Sequence, residues 1–147
     1  MQSNKAGYCM QPSTPTPEQK RVAMSLLTAD RDMEAAEALL QASPHLYENI
    51  GFHCQQAVEK YAKGALIAAS LSAPFIHNLA VLLGPLQQAG TLQFTPLDLS
   101  DAATLNEFAV ELRYETDDAP SHTSADLLAM AHRFQAKLRP LAQAFLI

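Results

Sequence analysis

Tryptophan does not occur in the chain, cysteine occurs twice, glycine five times, and charged residues make up only 17% of the sequence. Cys9 and Cys54 stand far apart and in no CxxC spacing, so neither a disulfide framework nor a cysteine zinc site is indicated, and free thiols in a reducing compartment are expected. The few glycines form no phosphate-cradling motif. The charged fraction lies below the roughly 25% usual in soluble domains, which excludes disorder driven by charge. Positive charge is short as well. With 10 Lys and Arg against 15 Asp and Glu, a net charge of -5 and a pI near 5.4, the chain lacks the general basic character of a non-specific nucleic-acid binder. Residues 64–76, the longest weakly polar run, are broken by Pro74 and fall short of the roughly 18 apolar residues of a membrane span. The first seventeen residues hold no apolar segment of a secretory signal, so a cytoplasmic protein is expected.

What the chain does have is apolar surface: 48% of its 147 residues are hydrophobic, enough for one core without metal or disulfide staples. Residues 1–16, rich in Pro, Ser and Thr, read as a flexible tail, and residues 17–147 as a single domain. Thr16, Pro17 and Gln19 supply an N-cap, a first-turn proline and a capping-box partner. Val22, Leu26, Ala29, Met33, Ala36 and Leu40 then recur at steps of four and three, predicting a helix that stops near Ser43 and Pro44 and carries Asp30, Asp32, Glu34 and Glu37 on its other face. A second helix is expected over roughly residues 45–71. Its core side carries Tyr47, Ile50, Cys54, Ala57, Val58, Tyr61, Ala65 and Ala68, and its far side Phe52, Gln56, Glu59, Lys60, Lys63 and Ile67, so it is read as touching two partners.

Leu79, Leu82, Leu83 and Leu86 signal a shorter third helix, which Gly84 and Pro85 are expected to kink or divide and Gly90 to end. Thr95, Pro96 and Asp98 start a fourth, with Ala102, Leu105, Ala109 and Leu112 on one face and Arg113 and Tyr114 at its end. After an acidic loop over residues 115–122, Thr123 and Asp126 cap a last helix carrying Leu127, Ala131, Phe134 and Leu138, which Pro140 is expected to bend or end. Sustained alternation and hairpin signals are missing throughout. The fold class is therefore all-α, an antiparallel up-and-down bundle of four to five helices.

The segment from Phe52 through His53, Gln56, Ala57, Glu59 and Lys60 to Lys63 resembles the signature helix of the HEPN family. Ile76-His77-Asn78-Leu79 resembles the family's His-Asp-Leu start of a third helix, and Leu112-Arg113-Tyr114 its Arg-Tyr element closing the fourth. The resemblance runs over about residues 30–141. It implies a small helical bundle, often a homodimer, serving as a nucleotide-binding module, as the partner of a minimal nucleotidyltransferase, or as a metal-independent endoribonuclease of toxin–antitoxin systems. In the ribonuclease members an Arg and a His four to six residues apart meet across a dimer to attack RNA. Here the comparable pair is Arg113 and His122, separated by eight residues that include Glu115, Asp117, Asp118 and Pro120, which repel phosphate and interrupt helix.

Among candidate sites, His53, Gln56, Lys60 and Lys63 follow at i, i+3, i+7 and i+10, a polar stripe suited to a phosphate or a partner carboxylate. A solvated shoulder with a Glu59–Lys63 pair, or a dimer contact, is the plainer reading. Arg113 with Tyr114 suits an anion, or Arg113 serves the helix dipole and pairs with Glu111 or Glu59. His77 reads as a capping residue whose family match adds a ligand role. The five histidines, His45, His53, His77, His122 and His132, include no His-x-x-x-His pair, so no metal and no cofactor is expected. Cys54 on the apolar face reads as an inert buried thiol, and Phe145, Leu146 and Ile147 as cover for a groove or dimer edge. The sequence thus points to an accessory protein that binds a nucleotide or a small nucleotidyltransferase without catalysis. The alternative is an endoribonuclease using Arg113 and His122, and a plain dimer scaffold is the third reading.

Overall fold

The computed structural model describes residues 13–109 and 120–147. Their regular structure is five helices: α1 (Pro17–Ala42), α2 (Tyr47–Ala68), α3 (Leu79–Gln88), α4 (Pro96–Asn106) and α5 (Ser124–Phe145). Three of the starts are closed by capping boxes, Thr16 with Gln19, Thr95 with Asp98 and Thr123 with Asp126, each exchanging side-chain and backbone hydrogen bonds over one turn.

The core follows from the apolar stripes. Val22, Leu26, Ala29, Met33 and Ala36 of α1 are buried, as are Leu127, Ala131, Phe134 and Leu138 of α5. Between them α2 is buried around much of its circumference, because it packs on α1, α5, α3 and α4 at once. Tyr61, Ile50 and Leu66 are among its largest fully buried side chains. Beyond α4, buried Phe108 stacks edge-on against Tyr47, with ring centroids 5.3 Å apart. A Cβ on residue 51 would lie 2.3 Å from the Phe108 ring, so the close approach requires Gly51.

Both α2 and α3 end in Schellman motifs. Leu71 and Ser70 donate backbone N–H groups to Leu66 and Ile67 carbonyls, and Thr91 and Gly90 do the same to Leu86 and Gln87. The left-handed position is Gly90 (φ 72°) after α3 but Ser70 (φ 60°) after α2.

Four expectations are corrected. α2 runs from Tyr47 to Ala68, shorter than residues 45–71, because the Ser70 turn closes it early. Of the kink or division expected at Pro85, the division does not occur, since α3 runs on to Gln88, and of the bend or end expected at Pro140, the end does not, since α5 continues to Phe145. In each case the residue four positions earlier, Val81 or Ala136, is exposed, so the carbonyl that proline leaves without a donor belongs to the solvent side of its helix. Asp30 and Asp32 are not on a plain outer face of α1 but half-buried, each facing side chains of neighbouring helices. The far side of α2, expected to touch a second partner, holds Glu59 buried. The tail expected over residues 1–16 lies outside the described residues up to residue 12. Leu112 and the acidic segment as far as residue 119 lie outside them too.

Candidate functional site

The polar stripe of α2 divides into two networks, each built around one carboxylate. His53 Nδ1 lies 2.9 Å from Asp32 Oδ1, and Lys60 Nζ donates to Asp32 Oδ2 at 2.6 Å, so residues two turns apart on α2 converge on one side chain of α1. Burial pulls the Asp32 carboxyl up, but hydrogen bonds from His53 and Lys60 outweigh it and hold the group below the usual carboxylate range.

The second network is centred on Glu59. Lys63 Nζ donates to Glu59 Oε2 at 3.1 Å, and His77 Nδ1 sits 2.8 Å from Glu59 Oε1. Buried Gln55 donates to Glu59 Oε1 at 3.2 Å and to the His77 carbonyl at 3.0 Å, while its own oxygen accepts from Gln56 Nε2 at 2.8 Å. His77 is thereby fixed just ahead of Asn78, whose side chain accepts from Val81 N at the start of α3. Asn106 Oδ1 accepts from Leu79 N, linking that start to the end of α4.

The structure thus brings Lys63 and His77 together on Glu59, with Gln56 beside them, and His53 and Lys60 together on Asp32. Asp32, Gln55 and Glu59 are the residues that sequence reasoning left out of the site. Gln55 and Glu59 are signalled by their four-residue spacing with Lys63, whereas nothing local marks Asp32. His122 is half-buried in the bend before Thr123, and its proposed partner Arg113 lies outside the described residues with Tyr114 and Glu111. Glu59, one of two acids considered for Arg113, is contacted by Lys63 and His77.

Where α1, α2 and α5 meet, Arg139 forks onto Asp30 at 3.0 and 2.7 Å, and the Tyr61 hydroxyl donates to the same carboxylate while accepting from Gln135. This junction ties α1, α2 and α5 together. The Arg139 hydrogen bonds hold the Asp30 carboxyl low, and burial with the neighbouring carboxylate pushes the Tyr61 phenol up. Burial, followed by the negative charge of Asp32, pushes the Cys54 thiol up to about 12, so it stays protonated and inert. Among the described residues no three His, Cys, Asp or Glu side chains gather as a metal would require, and no helix is long and apolar enough to cross a membrane.

The family model for the HEPN domain matches residues 22–138. The chain belongs to the HEPN family. Its fold agrees with the crystal structure of an archaeal HEPN homologue, at 23% identity and a TM-score of 0.59, covering 85% of this chain and 98% of that one. Among curated proteins none matches it. In this HEPN chain the signature segment is the stretch of α2 that holds both networks: Gln55 and Glu59 are buried in it, and His53, Lys60 and Lys63 are half-exposed.

Chemically, the arrangement fixes two imidazoles and two ammonium groups in defined positions and neutralises them with two carboxylates. A phosphate arriving here competes with Asp32 and Glu59, whereas a protein surface meets a preset pattern of donors and acceptors.

Proposed function

We propose that this HEPN chain is a non-catalytic accessory protein, dimeric in the cytoplasm, that binds a small nucleotidyltransferase partner or a nucleotide through the α2 stripe and His77. The observation that supports this reading most is the closure of His53 and Lys60 onto Asp32 and of Lys63 and His77 onto Glu59. Groups committed to buried or half-buried carboxylates are positioned for recognition, because their rotamers are already restricted before a partner arrives. They are poorly suited to acid–base cleavage of a polyanion, which needs an imidazole and a cation available to the reacting phosphate.

The test is calorimetric titration of the purified protein with ATP and related nucleotides, alongside capture of a minimal nucleotidyltransferase, for the native chain and for Lys60→Ala and Lys63→Ala. Binding in at least one arm, weakened by the substitutions, is expected. Two empty arms overturn the reading. Substitutions that alter only self-association turn the stripe into a dimer contact.

A further inference from the structure

Outside α1, every lysine and arginine among the described residues holds a carboxylate: Lys60 on Asp32, Lys63 on Glu59, Arg133 on Asp101, Lys137 on Asp98 and Arg139 on Asp30. Lys20, Arg21 and Arg31 hold none among the described residues, and all of them lie on α1. α1 as a whole is not basic, since it also carries Glu18, Asp30, Asp32, Glu34 and Glu37, but Lys20 and Arg31 stand at the two ends of one exposed face with no carboxylate among the described residues holding either.

These cations frame apolar surface. Lys20, Met24, Leu27 and Arg31 recur at steps of four, three and four, a single stripe opposite the buried stripe of Val22, Leu26, Ala29 and Met33. Met24 is 58% and Leu27 45% exposed. Beside them a groove of about 240 Å³ opens between α1, the end of α2 and the connector that follows, lined by Arg21, Met24, Ile67, Pro74 and Phe75 among others. Phe75 stands fully exposed at its edge. Solitary exposed apolar residues are ordinary, but a helical stripe continuous with a groove is the form of a docking surface.

We propose that the outer face of α1, with the groove it shares with Phe75, docks an acidic amphipathic helix of a partner protein. The inference rests on the accessory reading and adds to it the surface and the chemistry of the protein that fits. From Lys20 to Arg31 the stripe spans about 17 Å, the length of three helical turns. An apolar seam lies between the cations, so the fitting partner carries apolar residues at i, i+3, i+4 and i+7 and carboxylates at the two ends of that seam. Methionine adds adaptability to the contact. A single-stranded nucleic acid fits less well, because its evenly spaced phosphates would lie across the apolar Met24 and Leu27.

The experiment uses the full chain and a fluorescent 18-residue peptide with leucines along one face and glutamates flanking them, a scrambled peptide of equal composition, and an oligouridine. Fluorescence anisotropy is followed for the native protein, Arg21→Glu with Arg31→Glu, Leu27→Asp, and Phe75→Ala. All of these positions are exposed, and thermal unfolding checks that each variant folds. The expected result is binding of the amphipathic peptide, weakened by added salt and by about tenfold or more in each variant. Equal binding of the scrambled peptide, no peptide binding, or tighter binding of the oligouridine lost in the same variants overturns the assignment. Capture of a nucleotidyltransferase reads the accessory role separately: its success beside a failed peptide removes this surface alone, and the reverse removes that role alone.

Discussion

His77 Nδ1 sits 2.8 Å from Glu59 Oε1, and this contact anchors the connector ahead of α3 to the middle of α2. Because Glu59 also accepts from Gln55 and Lys63, a single buried carboxylate organises the polar centre of the HEPN signature. Replacing it by alanine strands Lys63 and Gln55 beside the core. Glu59→Ala is expected to cost about 2–4 kcal/mol, which lowers the unfolding midpoint by roughly 6–12 °C in a domain of this size. Glu59→Gln keeps an acceptor and should lose about half as much. Differential scanning calorimetry of the two variants checks both values, and an unchanged Glu59→Ala midpoint contradicts the organising role.

Ser70 occupies the left-handed position after α2 that Gly90 occupies after α3. A serine there bears a steric cost that glycine avoids, offset in part by glycine's greater freedom in the unfolded chain. Ser70→Gly should stabilise the protein by about 0.5–1 kcal/mol in urea unfolding, and Gly90→Ser should destabilise it comparably. A loss of stability in Ser70→Gly would show that the turn is not strained.

Much of this architecture is legible in the sequence, and the rest divides by range. Caps and stripes are local. Thr95 with Asp98 and Val22 with Leu26 are read correctly because everything that decides them lies within one or two turns. Asp30 and Asp32 carry no such signal, since Arg139 lies 109 residues from Asp30 and Lys60 lies 28 from Asp32, and only packing brings those pairs together. Pro85 and Pro140 leave their helices continuous for a related reason. Whether a proline breaks a helix depends on whether water reaches the carbonyl it leaves without a donor, and that is decided by tertiary exposure. The stripe of His53, Gln56, Lys60 and Lys63 is correctly placed on one side of α2, but its division between Asp32 and Glu59 is invisible without α1 and the His77 connector.

Acid should unfold the protein through its paired aspartates. Hydrogen bonds from Arg139 lower Asp30. In Asp32 and Asp98 burial raises the carboxyl, and the bonds from His53 with Lys60, and from Lys137 with Thr95, more than offset it. A carboxyl depressed in the folded state binds its proton more readily when unfolded, so it stabilises the fold above its unfolded value near 3.8 and loses that contribution as pH falls through the folded value. Urea midpoints are expected to be flat above about pH 5 and to fall steeply below pH 4. The fall should be shallower in Asp30→Asn, and an equally steep fall in that variant contradicts the assignment.

Cys54 should resist modification. In a Cys9→Ser background at pH 8, an aromatic disulfide reagent is expected to leave the native protein unlabelled and to react fully once urea unfolds it, because a buried thiol held near 12 supplies almost no thiolate. Rapid labelling of the native protein would mean that α2 opens.

The proposed role, recognition of a partner without cleavage of RNA, is open to a direct test. The most direct measurement is incubation of unstructured RNA with the purified protein in EDTA, with Arg113→Ala and His122→Ala prepared identically to exclude a contaminating nuclease. Intact RNA is expected in all three samples. Cleavage by the native protein that disappears in both variants would contradict the proposed role and establish a metal-independent endoribonuclease.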